Sequence, residues 1–250
     1  MTYIFTARGE EQAFEAMIED YSNELLEVST LQGQAKVATL NGFATTITSY
    51  ALDSKADWPY VTLPHWERRV EQIMRISGAV NLGFAPLVEE VEREQWKNYT
   101  LSHQDWIPNY EEWSMGGQFD IISGDITVGD FSAGTIVEDP GSFKYYPSWQ
   151  ISPIEQQDLV YVNMNLYSTW KSLAQTEAWM LQSQSTTISD IQLEVAGDGT
   201  PDPNDVYSWP SSFVLEPIFD EFDDTGRIHG MLAGIIPWVS KLNCNCCSHV

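Results

Sequence analysis

The chain has 250 residues, with 12 Lys and Arg against 36 Asp and Glu, a formal net charge of −24. That length fits one large domain or two small ones, and 43% hydrophobic residues are enough for a folded core rather than wholesale disorder. The acidity argues against nucleic acid and anionic membrane surfaces as partners, because phosphate binding needs clustered Lys and Arg.

The charge is uneven. Residues 98–226 hold only Lys144 and Lys171 against 21 acids, whereas residues 227–250 hold Arg227 and Lys241 and no acid. A solvated acidic surface accounts for this, and so does attraction of cations or basic ligands. No run of 18 apolar residues is present, so no membrane span is expected. The start, Met1-Thr2-Tyr3-Ile4-Phe5, lacks the basic lead and long apolar stretch of a signal peptide.

The first segment reads as one long helix over about residues 8–52. Phe14, Ile18, Tyr21, Leu25 and Val28 recur at spacings of four and three, a near-heptad stripe. Leu31, Ala35, Ala38, Phe43, Ile47 and Ala51 continue it. Such a helix suits a stalk, a homodimer seam, or a helix laid over a second domain. Asp57-Trp58-Pro59 breaks the pattern. A second helix is expected over 64–82, with Trp66, Val70, Ile73, Met74, Ser77 and Val80 inward. Residues 82–88 read as a core strand and 89–101 as a third helix carrying Val91, Trp96 and Tyr99. Asn98-Tyr99-Thr100 is a glycosylation sequon, meaningful only in a secretory chain.

After residue 105 glycines punctuate short β-rich runs. Strands are expected near 121–122, 126–128, 159–164, 188–195, 212–219 and 228–239. A helix is expected over 168–182, with Trp170, Leu173, Ala174, Ala178 and Leu181 on one side. The fold class is therefore α+β: a long N-terminal helix and further helices packed with an antiparallel sheet, PAS-like in that its closing hairpin over 213–236 resembles the last two strands of PAS-like sensor domains. The expected domains are residues 1–56 as a stalk-like helix, 57–240 as the α+β domain, and 241–250 as a Cys-rich tail.

Motifs for catalysis are scarce. There is no Gly-x-Ser-x-Gly elbow, Walker loop or dinucleotide fingerprint. Among 36 acids a glycosidase-like pair always finds candidates, so carboxylates alone decide nothing. Asp198, Asp202 and Asp205 stand in an Asp-Gly-Thr-Pro-Asp-Pro-Asn-Asp loop. Alternating oxygen donors suit calcium, yet the same residues specify a surface turn without metal. Cys244, Cys246, Cys247 and His249 offer zinc-ligand atoms without the usual paired spacing. No other cofactor is expected. Tyr145, Tyr146, Trp149 and Trp209 are aromatics among polar and Pro residues, suited either to packing or to a small organic or sugar ligand. Tyr146, Trp149 and Gln150 are the candidate ligand-binding residues: the rings offer contact area and the amide a directional hydrogen bond.

Several stretches together carry a family resemblance. They are Phe5-Thr6-Ala7-Arg8 with Glu11-Gln12-Ala13-Phe14-Glu15, Trp58-Pro59-Tyr60-Val61-Thr62-Leu63-Pro64 with Glu67-Arg68-Arg69, and Phe84-Ala85-Pro86-Leu87-Val88 with Arg93 and Trp96. With Trp149-Gln150-Ile151-Ser152-Pro153 and the final hairpin 213–236, they resemble the extracellular sensor region of diatom receptor-type guanylate cyclases. That region is CHASE-like, a long helix carrying PAS-type modules between two membrane helices. The resemblance implies an extracytoplasmic, non-enzymatic sensor module for an unidentified small molecule, here without membrane helix or cyclase domain. The alternatives are a secreted carbohydrate-binding or carbohydrate-active protein and a calcium-dependent structural or adhesion module.

Overall fold

A computed structural model describes residues 2–115, 124–130, 135–191, 210–222 and 226–237. In chain order the helices and strands are α1 (Thr2–Ser54), α2 (Trp66–Ser77), β1 (Asn81–Pro86), β2 (Val88–Glu89), α3 (Arg93–Ser102), α4 (Tyr110–Met115), β3 (Thr127–Asp130), β4 (Thr135–Glu138), β5 (Lys144–Tyr145), β6 (Gln150–Ser152), α5 (Leu166–Thr169), α6 (Lys171–Ser183), β7 (Thr187–Ile188), β8 (Ser211–Phe219) and β9 (Ile228–Pro237). Short 3₁₀ turns cover Glu90–Glu92 and Gln156–Tyr161.

The chain divides into two compact units, Met1–Ala38 and Thr39–Val250. The boundary thus falls inside α1 and not at residue 56. The physical reason is that Leu40, Phe43, Ala44, Ile47 and Ala51 are core residues of the second unit. In the first unit, α1 exposes Met17, Ile18, Tyr21, Leu26 and Leu31.

The second unit is built on a five-stranded antiparallel sheet in the order β6-β1-β9-β8-β7. Counting only the strands of this sheet, the order is second, first, fifth, fourth, third. Alternation along the strands sends neighbouring residues to opposite faces. Phe84, Val214, Ile218 and Leu232 join one cluster with α1 and α2 residues. Ala85, Leu215, Phe219 and Met231 join another with Leu166, Leu173 and Met180 of α5 and α6. Strand β9 approaches β1 closely at Gly230, where a Cβ would stand 2.9 Å from Ala85 O and from Pro86 Cα. Any side chain there would have to push two backbones apart.

Most expected elements are present. The α2 stripe buries Trp66, Val70 and Ser77 and leaves Arg75 in the last turn at the negative helix end. Two expectations need correction. Residues 156–161 form a 3₁₀ turn where a strand was expected, its Glu155 and Asp158 side chains capping each other's backbone N–H groups. Helix α6 buries Leu173, Thr176, Glu177 and Met180, while Ala178 and Leu181 are exposed. Its inward face is therefore partly polar, and an apolar stripe placed it about one residue off. The expected strand at 121–122, residues 192–195 and the tail 241–250 lie outside the described residues.

Candidate functional site

The second sheet face holds a charged cluster where a hydrophobic layer would be the simple solution. Lys144 on β5 reaches α6, its Nζ 2.5 Å from Glu177 Oε1. The Tyr146 hydroxyl donates to the same Oε1 at 3.0 Å. Glu177 is nearly sealed from solvent, with 3% of its side chain exposed against 31% for Lys144. An isolated buried carboxylate is costly, so a lysine and a tyrosine meeting one oxygen account for its presence. The Lys144 ammonium also lies 5.7 Å from the Tyr146 ring centroid and 5.1 Å from that of Tyr167. Two ring faces and a carboxylate thus surround one ammonium group. Burial, then the Glu177 charge, pushes the Tyr146 hydroxyl well above the usual tyrosine range, so it stays a donor.

A second layer fixes these groups. Asn165, fully buried ahead of α5, accepts from Tyr146 N at 3.0 Å and donates to Asp139 Oδ2 and Ser168 Oγ, both at 2.9 Å. Arg93 of α3 donates to Asp139 O at 2.7 Å and to Glu138 at 3.0 Å, and its guanidinium lies over the Tyr145 ring. The Tyr145 hydroxyl donates to Glu90. The loop leading into β5, α3 and α5 are therefore tied together by side-chain bonds on both sides of Lys144.

Of the three ligand candidates, only Tyr146 belongs to this cluster. Trp149 and Gln150 sit on the other side, fully buried. Trp149 Nε1 donates to Thr62 Oγ1 at 2.9 Å, and its ring meets Trp96 and Trp106 edge-on. Gln150 brackets one residue of the 58–64 segment, accepting from Leu63 N at 2.7 Å and donating to Leu63 O at 3.0 Å. That amide acts as a strut holding the segment against β6. Several neighbouring donors have no partner: the Tyr60 hydroxyl, the Trp66 and Trp106 indole N–H groups and the Gln104 amide.

Tyr145 is buried as well, so the carbohydrate reading has three of its four aromatics inside, and Trp209 lies outside the described residues. Asn98 is exposed on α3 and donates to Glu94 O at 2.9 Å, while Thr100 of the sequon is buried. Asp198, Asp202 and Asp205, and Cys244, Cys246, Cys247 and His249, lie outside the described residues. Among the described residues no group of three His, Cys, Asp or Glu converges as a metal site. Nor does any described helix have the length and apolarity to cross a membrane.

Sequence reasoning missed Lys144, Tyr167 and Glu177. One signal was available: Lys144 is one of two cations in a 129-residue acidic stretch and stands between Phe143 and Tyr145-Tyr146. A lone cation among aromatics is a candidate for a ring-lined site. No family model matches the chain, and no curated protein matches it.

Proposed function

We propose that the chain is the ligand-sensing domain of a receptor, extracytoplasmic and non-enzymatic, of the kind found in diatom receptor-type guanylate cyclases. The observation that supports this most is the sheet order second-first-fifth-fourth-third, the order of a PAS-type sheet. The segment between its second and third strands supplies α5 and α6 and lays them on one face, where a PAS-type sensor holds its ligand. The charged cluster sits on that face.

In this reading the N-terminal helix pairs with that of a second copy. Its stripe at spacings of four and three is the seam of a two-stranded coiled coil, and Ile18 and Tyr21 of that stripe are exposed. Sedimentation equilibrium tests this part: the native chain sediments as a dimer and Ile18→Lys/Tyr21→Lys as a monomer. A native monomer at high concentration sinks it.

A thermal-shift screen of amines, amino acids, organic acids, nucleosides and sugars tests the sensing itself. A true ligand raises the melting temperature in a saturable way, because it binds the native state alone. A screen in which no compound class does so overturns the sensing reading.

A further inference from the structure

The cage around Lys144 has the chemistry of a binding site rather than of a structural ion pair. A salt bridge that only closes a core needs no aromatic walls. Here the ammonium has a carboxylate oxygen at 2.5 Å and two tyrosine rings at 5.1 and 5.7 Å. Ring faces carry negative potential and attract cations, most strongly where water is excluded. Glu177 supplies the full charge, and the Tyr146 hydroxyl takes part of the same oxygen, which leaves directed acceptor capacity for N–H donors.

The anchoring is one-sided. Glu177, Tyr146 and Asn165 are buried and locked by hydrogen bonds, whereas the Lys144 side chain is about a third exposed and Tyr167 is half-buried. The rigid part of the cluster is the receptor half and the solvent-facing part is the cation. A lysine stem has four rotatable carbons and leaves such a site without moving the backbone. The surrounding stretch, with two cations against 21 acids, raises the local concentration of positively charged solutes.

We propose that Tyr146, Tyr167 and Glu177 form a recognition site for a primary aliphatic ammonium group, which Lys144 fills from within the chain as a built-in competitor. The proposal rests on the sensing reading and names its ligand class. An incoming amine exchanges one ammonium for another at Glu177, with no change in the charge of the cage, and sets Lys144 free to the solvent.

The test removes the competitor. Lys144→Met keeps the length of the stem and removes the charge. Isothermal titration with n-butylammonium chloride is run on the native chain and on this variant, at constant ionic strength, with n-butanol as the neutral isostere. The variant is expected to bind butylammonium at least tenfold more tightly than the native chain, to ignore butanol, and to lose the preference on adding Glu177→Gln. A folded Lys144→Met that does not prefer the amine overturns the proposal. Where Lys144→Met does not fold alone, the amine is added during refolding. Recovery of the circular dichroism signal with butylammonium and not with butanol supports the cage, and equal failure with both overturns it. A native chain that answers another compound in the screen, beside a variant blind to amines, defeats this inference and leaves the sensing reading standing.

Discussion

The two faces of the sheet solve the same problem, covering an apolar surface, by opposite means. The face toward α1 and α2 is covered by large rings: Trp58, Trp66, Trp96, Trp106 and Trp149 pack there with Phe84 and Tyr99. It buries much area and tolerates orphan donors such as the Tyr60 hydroxyl and the Trp106 N–H. The face toward α5 and α6 has a smaller apolar cluster and includes an ion pair whose buried carboxylate takes two donors at one oxygen. Where area is large, one unmet hydrogen bond of about 1–3 kcal/mol is absorbed. Where area is small, a buried charge must be matched atom by atom. The first face stabilises through buried area, and the second depends on a matched charge.

Chemical denaturation of variants probes this contrast. The largest effect is expected for Trp149→Ala on the first face, a loss of about 3–5 kcal/mol, since a fully buried indole leaves a cavity among other rings. Removing one hydroxyl from each face then gives a matched pair. Tyr146→Phe takes one of the two donors from the buried Glu177 Oε1, leaving Lys144 alone there, and is expected to cost about 1.5–3 kcal/mol, as for a hydrogen bond to a charged group. Tyr60→Phe deletes an oxygen that has no partner and is expected to change stability by less than about 0.5 kcal/mol, toward stabilisation. Equal losses for the two tyrosines would break the comparison.

The smallest effect concerns pH. His229, at the rim of the first face with its ring 5.4 Å from Trp58, has its pKa lowered by burial, which outweighs the attraction of Asp220. A lowered folded-state pKa means that the unfolded chain takes up the proton first. Its contribution is therefore complete above the unfolded histidine pKa of about 6.5 and is lost as pH falls below it. Melting temperatures between pH 5 and 7.5 should fall less steeply with acid in His229→Phe than in the native chain.

Much of the fold is legible in the sequence because its elements carry strong, regular apolar stripes. The α1 and α2 periodicities, the core strand β1 and the β8–β9 hairpin are all there to read, since each alternates or repeats apolar residues at the spacing its backbone demands. What misleads is any place where a polar residue points inward. Helix α6 presents Thr176 and Glu177 to the core, and the apolar pattern therefore selects Ala178 and Leu181 instead. The candidate site is hidden for the same reason. Glu177 is one of 36 acids until Lys144 and Tyr146, more than 30 residues earlier, are seen against it. Trp149 and Gln150 are visible as unusual residues, but a sequence does not distinguish a ring that meets a ligand from a ring that meets three other rings.

The short β7 has one more consequence. It pairs with β8 only at Val214 and Leu215, so among the described residues no strand lies beside Glu216–Phe219 on that side. Helix α1 comes in there instead: Thr48 Oγ1 donates to Phe219 O at 2.8 Å and Asn41 to the Glu216 carboxylate at 3.0 Å. A helix lends side chains but no ladder of its own, so it occupies the strand's rim without prolonging the sheet. Loosening α1 between residues 41 and 48 would thus bare a row of backbone groups ready to recruit a foreign strand. Aggregation, and not a soluble unfolded chain, is the failure this architecture invites.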